Sequence, residues 1–439
     1  MNISDIIIRL QALVDQSTSA YELMVFSKCI EKLKVGAVYV VSTFSDLPTL
    51  PLSENGELYL VENDEELYYN NNDVWHLISN TLIDRAYGWG QNTAGELADG
   101  TTTNRSSPVT IIGGITNWSQ LSAGGSHSLG VTATGIAYAW GSNANGELGD
   151  GTTSSRSSPV TVVGGITNWS QVSAGGDHSL GIISTGIAYA WGSNVNGRLG
   201  DNTTSSRSSP VTVIGGITNW SQVSAGDVHS LGITASGVAY AWGLNSNGRL
   251  GDGTITSRQS PVTVVGGITS WSQLSGGTGH SLGVTTTGIA YAWGFNGQGR
   301  LGDGTTSSRL SPVTVVGGIT SWSQLSSGGH SLGVTTTGIA YAWGSNDSRQ
   351  LGDGTATSRL SPVTVVGGIT NWSQLSAGTS HSLGVTSTGI AYAWGINTGG
   401  RLGDNTETTR SSPVTVVGNI TNWSQLHAGA SHSLAIQSL

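Results

Sequence analysis

Seven histidines recur along the chain at His127, His178, His229, His280, His330, His381 and His432. Imidazoles in a ring are the ligand type of a zinc or copper centre, so a metal site is the first chemistry to weigh. Seven aspartates (Asp99, Asp150, Asp201, Asp252, Asp303, Asp353 and Asp404) and seven arginines (Arg105, Arg156, Arg207, Arg258, Arg309, Arg359 and Arg410) keep the same interval. Carboxylates could do acid–base work and guanidinium groups could hold anions. Each of these residues occupies one fixed place in its own repeat. Neighbouring histidines should then lie far beyond the ~2 Å reach of a shared metal. A structural hydrogen bond within each repeat is expected instead. Each Asp follows Leu-Gly, or Leu-Ala in the first copy, and is expected to organise an Asx turn. The arginines should brace the same loop, and the asparagines after Trp-Gly-x, from Asn92 to Asn397, should do likewise. Paired carboxylates, a serine elbow, a P-loop and spaced Cys/His ligands are all missing from the sequence. No enzyme activity, metal or cofactor is expected.

These residues are positioned by a repeat of 51 residues, with one interval of 50. The Trp of Trp-Gly stands at Trp89, Trp140, Trp191, Trp242, Trp293, Trp343 and Trp394. A second series, in Trp-Ser-Gln, runs from Trp118 to Trp423 in the same step. The short interval reflects a residue missing just before His330. Within Gly186–Gly192, Ile187, Tyr189 and Trp191 fall on one face of a strand, with Ala188 and Ala190 on the other. Large against small suits a strand buried on both sides, between a bulky face and a neighbour's small face. A Gly/Asn-rich loop and a polar stretch ending at Pro210 follow. Further strands are expected at Val211–Ile214, Trp220–Ala225 and His229–Thr234.

Four strands per repeat fit the blade of a β-propeller. Ala86–Gly90 has no upstream partner and His432–Gln437 no downstream one, so the two orphans should complete one hairpin and close the ring. The expected fold class is therefore all-β: a seven-bladed propeller over 81–439, closed by its first and last strands, with a small α+β N-terminal segment.

The pattern Trp-Gly-x-Asn-x-x-Gly-x-Leu-Gly-x-Gly, then Pro-Val, then Ala-Gly-x-x-His-Ser-Leu, resembles the regulator-of-chromosome-condensation repeat. It stands clearly in 191–202 and 210–231. The resemblance spans about 358 residues in seven copies and implies a seven-bladed propeller. That family includes a nucleotide exchange factor for a small GTPase and bacterial protein inhibitors of β-lactamase, so it implies little about partner.

Specificity is expected where the copies differ. After Trp-Gly the series runs Gln91, Ser142, Ser193, Leu244, Phe295, Ser345, Ile396. A second variable site reads Glu96, Glu147, Arg198, Arg249, Arg300, Gln350, Arg401. Leu244, Phe295 and Ile396, with Arg198, Arg249, Arg300 and Arg401, are the candidate binding surface.

Residues 1–80 do not repeat. Residues 1–35 read as a helical hairpin: Ile3–Val14, then a second helix opened by the capping box Ser19-Ala20-Tyr21-Glu22. Leu23, Phe26, Ile30 and Leu33 share one face of that helix and are the candidate docking residues. Residues 36–80 read as a small β module with strands at Ala37–Ser42, Glu57–Val61, Glu66–Tyr69 and Val74–Ile78. Asp46-Leu47-Pro48, Gly56–Val61, Leu67-Tyr68 and Val74-Trp75 are similar to modules near the N-termini of phage tail-fibre and other virion appendage proteins. The resemblance implies a location in a phage particle. On it, residues 1–80 would dock to other virion proteins, and the propeller would be displayed to a host surface protein or glycan. A homo-oligomer is expected. The alternative is a cellular protein-interaction propeller of the small-GTPase exchange factor or protein inhibitor type.

Charge narrows the partners further. Charged residues make up 10% of the chain, against roughly 25% in an average domain. Residues 1–80 hold 4 Lys/Arg and 12 Asp/Glu, while the remainder holds 13 Arg and 14 Asp/Glu. No basic patch is visible, so no nucleic-acid partner is expected. The longest N-terminal apolar run, Ile6-Ile7-Ile8, is too short for a signal peptide or a membrane span, so no membrane insertion is expected. Cys29 is the single cysteine, which precludes an intrachain disulfide.

Overall fold

Alternation of large and small side chains along Ala188–Gly192 makes a strand whose two faces suit different neighbours. The computed structural model describes residues 85–418 and 420–438 throughout, and before them the backbone of four strands. By its contacts the chain divides into two units, Met1–Arg85 with Ser438–Leu439, and Ala86–Gln437.

One blade is an antiparallel meander of Trp169–Ala174, His178–Ile183, Ala188–Gly192 and Arg207–Thr212. Register places Ser179 opposite Trp191 and Leu180 opposite Ala190. Trp169–Ala174 is the inner strand, and its Gln171 and Ser173 face the central channel. The outer strand corrects an expectation. It begins at Arg207 and runs through Pro210, where the polar composition had suggested a loop until Val211. A bulge between the pairs Ala190–Val211 and Gly192–Arg207 accommodates it. On an outer edge, the missing proline N–H leaves no ladder partner unsatisfied.

Blades are numbered 1 to 6 by inner strands that begin at Trp118, Trp169, Trp220, Trp271, Trp322 and Trp372. Blade 7 is composite. Its order is Trp423–Ala428, His432–Gln437, Arg85–Gly90 and Arg105–Thr110, so the chain's last strand pairs with the propeller's first. The Tyr87 hydroxyl reinforces the join by donating to Gln437 Oε1 at 3.0 Å. This is the closure expected from the two orphan strands, and it removes both exposed edges.

Cores lie between blades. Leu129, Val131, Ala137 and Ala139 of blade 1 pack against Trp169, Val172, Tyr189 and Trp191 of blade 2. Bulky faces meet small ones, as the alternation requires. Trp191 is fully buried and meets Trp169 at 5.6 Å with the rings inclined by 63°, an edge-to-face arrangement. Burying such a side chain stabilises by on the order of 3 kcal/mol.

In the N-terminal unit Val38–Val41 pairs in parallel with Leu58–Val61, which pairs antiparallel with Glu66–Asn71, and that with Val74–Ser79. The four strands coincide closely with those expected from the sequence. The two expected helices, with Leu23, Phe26, Ile30 and Leu33, lie outside the described residues.

Candidate binding surface

The repeated polar residues act as scaffold, and their partners explain why. In blade 1, Asp150 Oδ1 accepts from Thr152 N and Oγ1, at 2.9 and 2.7 Å, and from Asn143 Nδ2 at 3.0 Å. That is the expected Asx turn. Arg156 meets the other carboxylate oxygen at 2.8 Å. Burial alone would raise the Asp150 pKa, but the hydrogen bonds from Thr152, Arg156 and Asn143 outweigh it and hold the carboxyl below its usual range. Asn143 is fully buried, and its Oδ1 accepts from Leu148 N at 2.9 Å.

The histidines depart from expectation in one respect: their bonds run between blades, not within them. His127 Nε2 of blade 1 lies 2.9 Å from Ser179 Oγ of blade 2. Ser179 donates its own proton to the Glu147 carbonyl of blade 1 at 2.8 Å, so Nε2 must carry a hydrogen. The same carbonyl accepts from Trp191 Nε1 at 2.8 Å. The relay continues around the ring and returns through His432 to Ser128 at 2.9 Å. Full burial disfavours the imidazolium, bringing His127 down to about 4 and His280, His330 and His432 to about 3. With Nε2 bound to serine and full burial disfavouring a second proton, each imidazole is held neutral. Among the described residues no cluster of His, Cys, Asp and Glu could hold a metal ion.

Arg198, Arg249, Arg300 and Arg401 were expected on the binding surface, and here the structure corrects the sequence reading. Arg198, Arg249 and Arg401 are buried and Arg300 is half-buried. Each reaches across to the next blade. Arg198 Nη1 donates to the Asp227 carbonyl at 3.4 Å, Arg249 Nη1 to Thr278 at 3.3 Å, Arg300 Nε to Gly329 at 2.7 Å and Arg401 Nη1 to Ala430 at 3.1 Å. Where the position holds an acid or amide, the side chain curls onto its own loop instead. Glu147 Oε2 accepts from Asn145 N at 2.9 Å and Gln350 Oε1 from Ser348 N at 2.8 Å. The arginines bind their own loop too, as Arg198 Nε does by donating to the Val195 carbonyl at 3.1 Å, so the variation adds or omits the bond across to the next blade.

What remains variable gathers on one face. For six of the seven histidines the preceding loop is tied to the loop after Trp-Gly by a backbone bond, as in Leu244 N to Val228 O at 3.1 Å and Phe295 N to Gly279 O at 2.9 Å. The outer strand starts at the same end. Phe295 is exposed there, with the Arg300 guanidinium 5.1 Å from its ring centre, while Leu244 and Ile396 are half-buried. Four further apolar side chains stand exposed at this end: Val195 (56%), Ile255 (63%), Leu310 (41%) and Leu360 (40%). Ile255 and Leu310 belong to one junction, where Gly253 N donates to the Leu310 carbonyl at 3.0 Å. Blades 2 to 5 thus carry an apolar arc at positions that hold mainly Thr or Ser elsewhere, as in Thr204 and Ser208. Comparing the copies position by position was the signal that could have found all four.

Seven stretches of this chain, between 84–131 and 388–436, match the model of the regulator of chromosome condensation (RCC1) repeat. The chain belongs to the RCC1 repeat family. Among curated relatives of this RCC1 propeller, the ultraviolet-B receptor UVR8 of Arabidopsis thaliana is 34% identical over 52% of this chain and 53% of its own length. The E3 ubiquitin-protein ligase HERC2 of Homo sapiens is 31% identical over 55% of this chain and 5% of its own length. The chain therefore spans about half or less of the curated relatives it matches. Human WBSCR16 superposes with a TM-score of 0.72 at 21% identity, covering 81% of this chain and 99% of that one. Prp20p of Saccharomyces cerevisiae, described with its binding to Gsp1p and histones, gives 0.71 at 20%, covering 81% and 92%. These two likenesses show the shared fold.

Proposed function

We propose that this RCC1 propeller is a non-enzymatic protein-interaction module whose partner docks on the variable-loop face. The observation that carries the reading is the apolar arc of Val195, Ile255, Phe295, Leu310 and Leu360 across blades 2 to 5. Isolated exposed apolar residues are ordinary, but these five depart from the repeat and lie at the same end of consecutive blades, as an interaction surface would. Family membership supports the class of function, since Prp20p is described with protein ligands. Leu244 and Ile396, both half-buried, would flank the contact. The test is affinity capture with the wild-type chain and with a Phe295→Ser/Leu310→Ser double variant. A specific protein partner should be lost from the double variant and kept by Thr287→Ala in the turn preceding a third strand. Equal capture by all three would overturn the reading.

A second reading, a virion appendage, rests on the N-terminal resemblance and on the four-stranded sheet within residues 38–79. In it residues 1–80 dock to other virion proteins, through Leu23, Phe26, Ile30 and Leu33, and the same face meets a host protein or glycan. The relatives named above favour the cellular alternative. Mass spectrometry of purified particles separates the two: absence of the chain from virions removes the second reading.

A further inference from the structure

The central channel is lined by two stacked rings contributed by the inner strands, one of glutamines and one of serines, enclosing about 220 Å³. Each glutamine Oε1 accepts a backbone N–H from the next blade, as with Val172 N to Gln120 at 2.9 Å and Val223 N to Gln171 at 2.8 Å. Leu121 N to Gln425 at 2.8 Å completes the circle. These bonds fix which way every carboxamide faces. A reversed amide would set its NH₂ against an N–H donor, leaving a buried donor unsatisfied at a cost of about 1–3 kcal/mol. With oxygen held at the blade interface, the NH₂ is the amide's other polar group. Gln374 Nε2 gives one hydrogen to the Leu426 carbonyl at 3.1 Å, and a second N–H remains.

The serine ring behaves alike. Ser122 Oγ accepts from Ala174 N at 3.0 Å and Ser173 Oγ from Ala225 N at 2.9 Å, so each hydroxyl keeps its proton to donate. In six blades the residue is serine; in blade 7 it is His427. No carboxylate lines this part of the channel. The lumen is therefore a neutral cage in which these amide and hydroxyl donors stand beside inner-strand carbonyls such as that of Leu426. At the mouth formed by the glycine-rich loops the acidic residue is Asp227, which opposes large polyanions.

We infer that this channel is a binding site for one small oxyanion, of the nitrate, sulfate or carboxylate class, held by glutamine N–H and serine O–H donors. A space of this size also holds about seven waters at ~30 Å³ each, which is the competing occupant. The experiment uses the full chain at constant ionic strength. Nitrate, sulfate and acetate are titrated separately, read by calorimetry and by the ¹⁵N shifts of the glutamine side-chain amides. One-to-one saturation with shifts in the channel glutamines supports the site, and the ranking of the three ions separates inorganic from carboxylate ligands. Gln222→Glu keeps an oxygen for Leu274 N, now 2.8 Å from Gln222 Oε1, while replacing an inward donor by a negative acceptor. It should weaken binding at least about tenfold. His427→Ser restores the serine of the other blades and, should Gln222→Glu unfold, reports instead: saturation should persist with altered affinity. Linear shifts with all three ions, or affinity unchanged in both variants, would overturn the proposal in favour of a water-filled channel.

Discussion

His432 Nε2 lies 2.9 Å from Ser128 Oγ although 304 residues separate them in sequence. The same bond joins blades 1 and 2 as His127 to Ser179, only 52 residues apart, also at 2.9 Å. One local interaction thus serves both to stack neighbours and to lock the ring where the chain ends meet.

Breaking the lock should be measurable. Ser128→Ala leaves the His432 N–H buried without its acceptor, a loss of about 1–3 kcal/mol. Ser230→Ala, which orphans His178, should cost a similar amount. Urea unfolding of both variants checks this. An undisturbed midpoint in Ser128→Ala would show that closure does not depend on the relay.

Acid should destabilise the propeller early. Buried neutral histidines have pKa values depressed from 6.5 to about 4 or about 3. The unfolded chain binds these protons first, so stability is full above 6.5 and falls as pH drops toward the folded values. The lowered aspartate pKa values add a further loss only at lower pH. Urea midpoints measured from pH 8 to 4 should fall below about 6.5.

Asp150 and Arg156 form one ion pair but should not be equally important. The arginine side chain is 37% exposed and the aspartate 6%. Arg156→Ala should cost about 0.2–1 kcal/mol, as exposed pairs do. Asp150→Ala also strands the donors of Asn143 and Thr152, for about 1–3 kcal/mol. Thermal melts of the two variants would reveal the asymmetry.

Two glycines separate backbone strain from crowding. At Gly149 (φ +65°) an added Cβ would meet Trp191 at 2.9 Å, whereas at Gly165 (φ +70°) it meets nothing within 4 Å. Gly165→Ala should cost about 1–2 kcal/mol from the left-handed conformation alone. Gly149→Ala adds overpacking of about 1–3 kcal/mol. Loss of Trp fluorescence shift only in the Gly149 variant would accompany it.

The repeat, the blade and the scaffold role of the Asp, Asn and Arg series were legible because they depend on local pattern, and the closing hairpin because each orphan strand lacks the partner that the other supplies. Strand alternation in Ala188–Gly192 and the Leu-Gly-Asp turn follow from bonds between residues a few positions apart. Three things were decided by the assembled ring. The histidine bond runs to the next blade, because only stacking brings Ser179 beside His127. Arg198 and its counterparts turn inward, because a carbonyl such as that of Asp227 becomes available only across the interface. The glutamine amides take one orientation, because the N–H groups that fix them come from neighbouring inner strands. Sequence sets what each blade can offer; which offer is taken depends on the blade packed beside it, about 51 residues away.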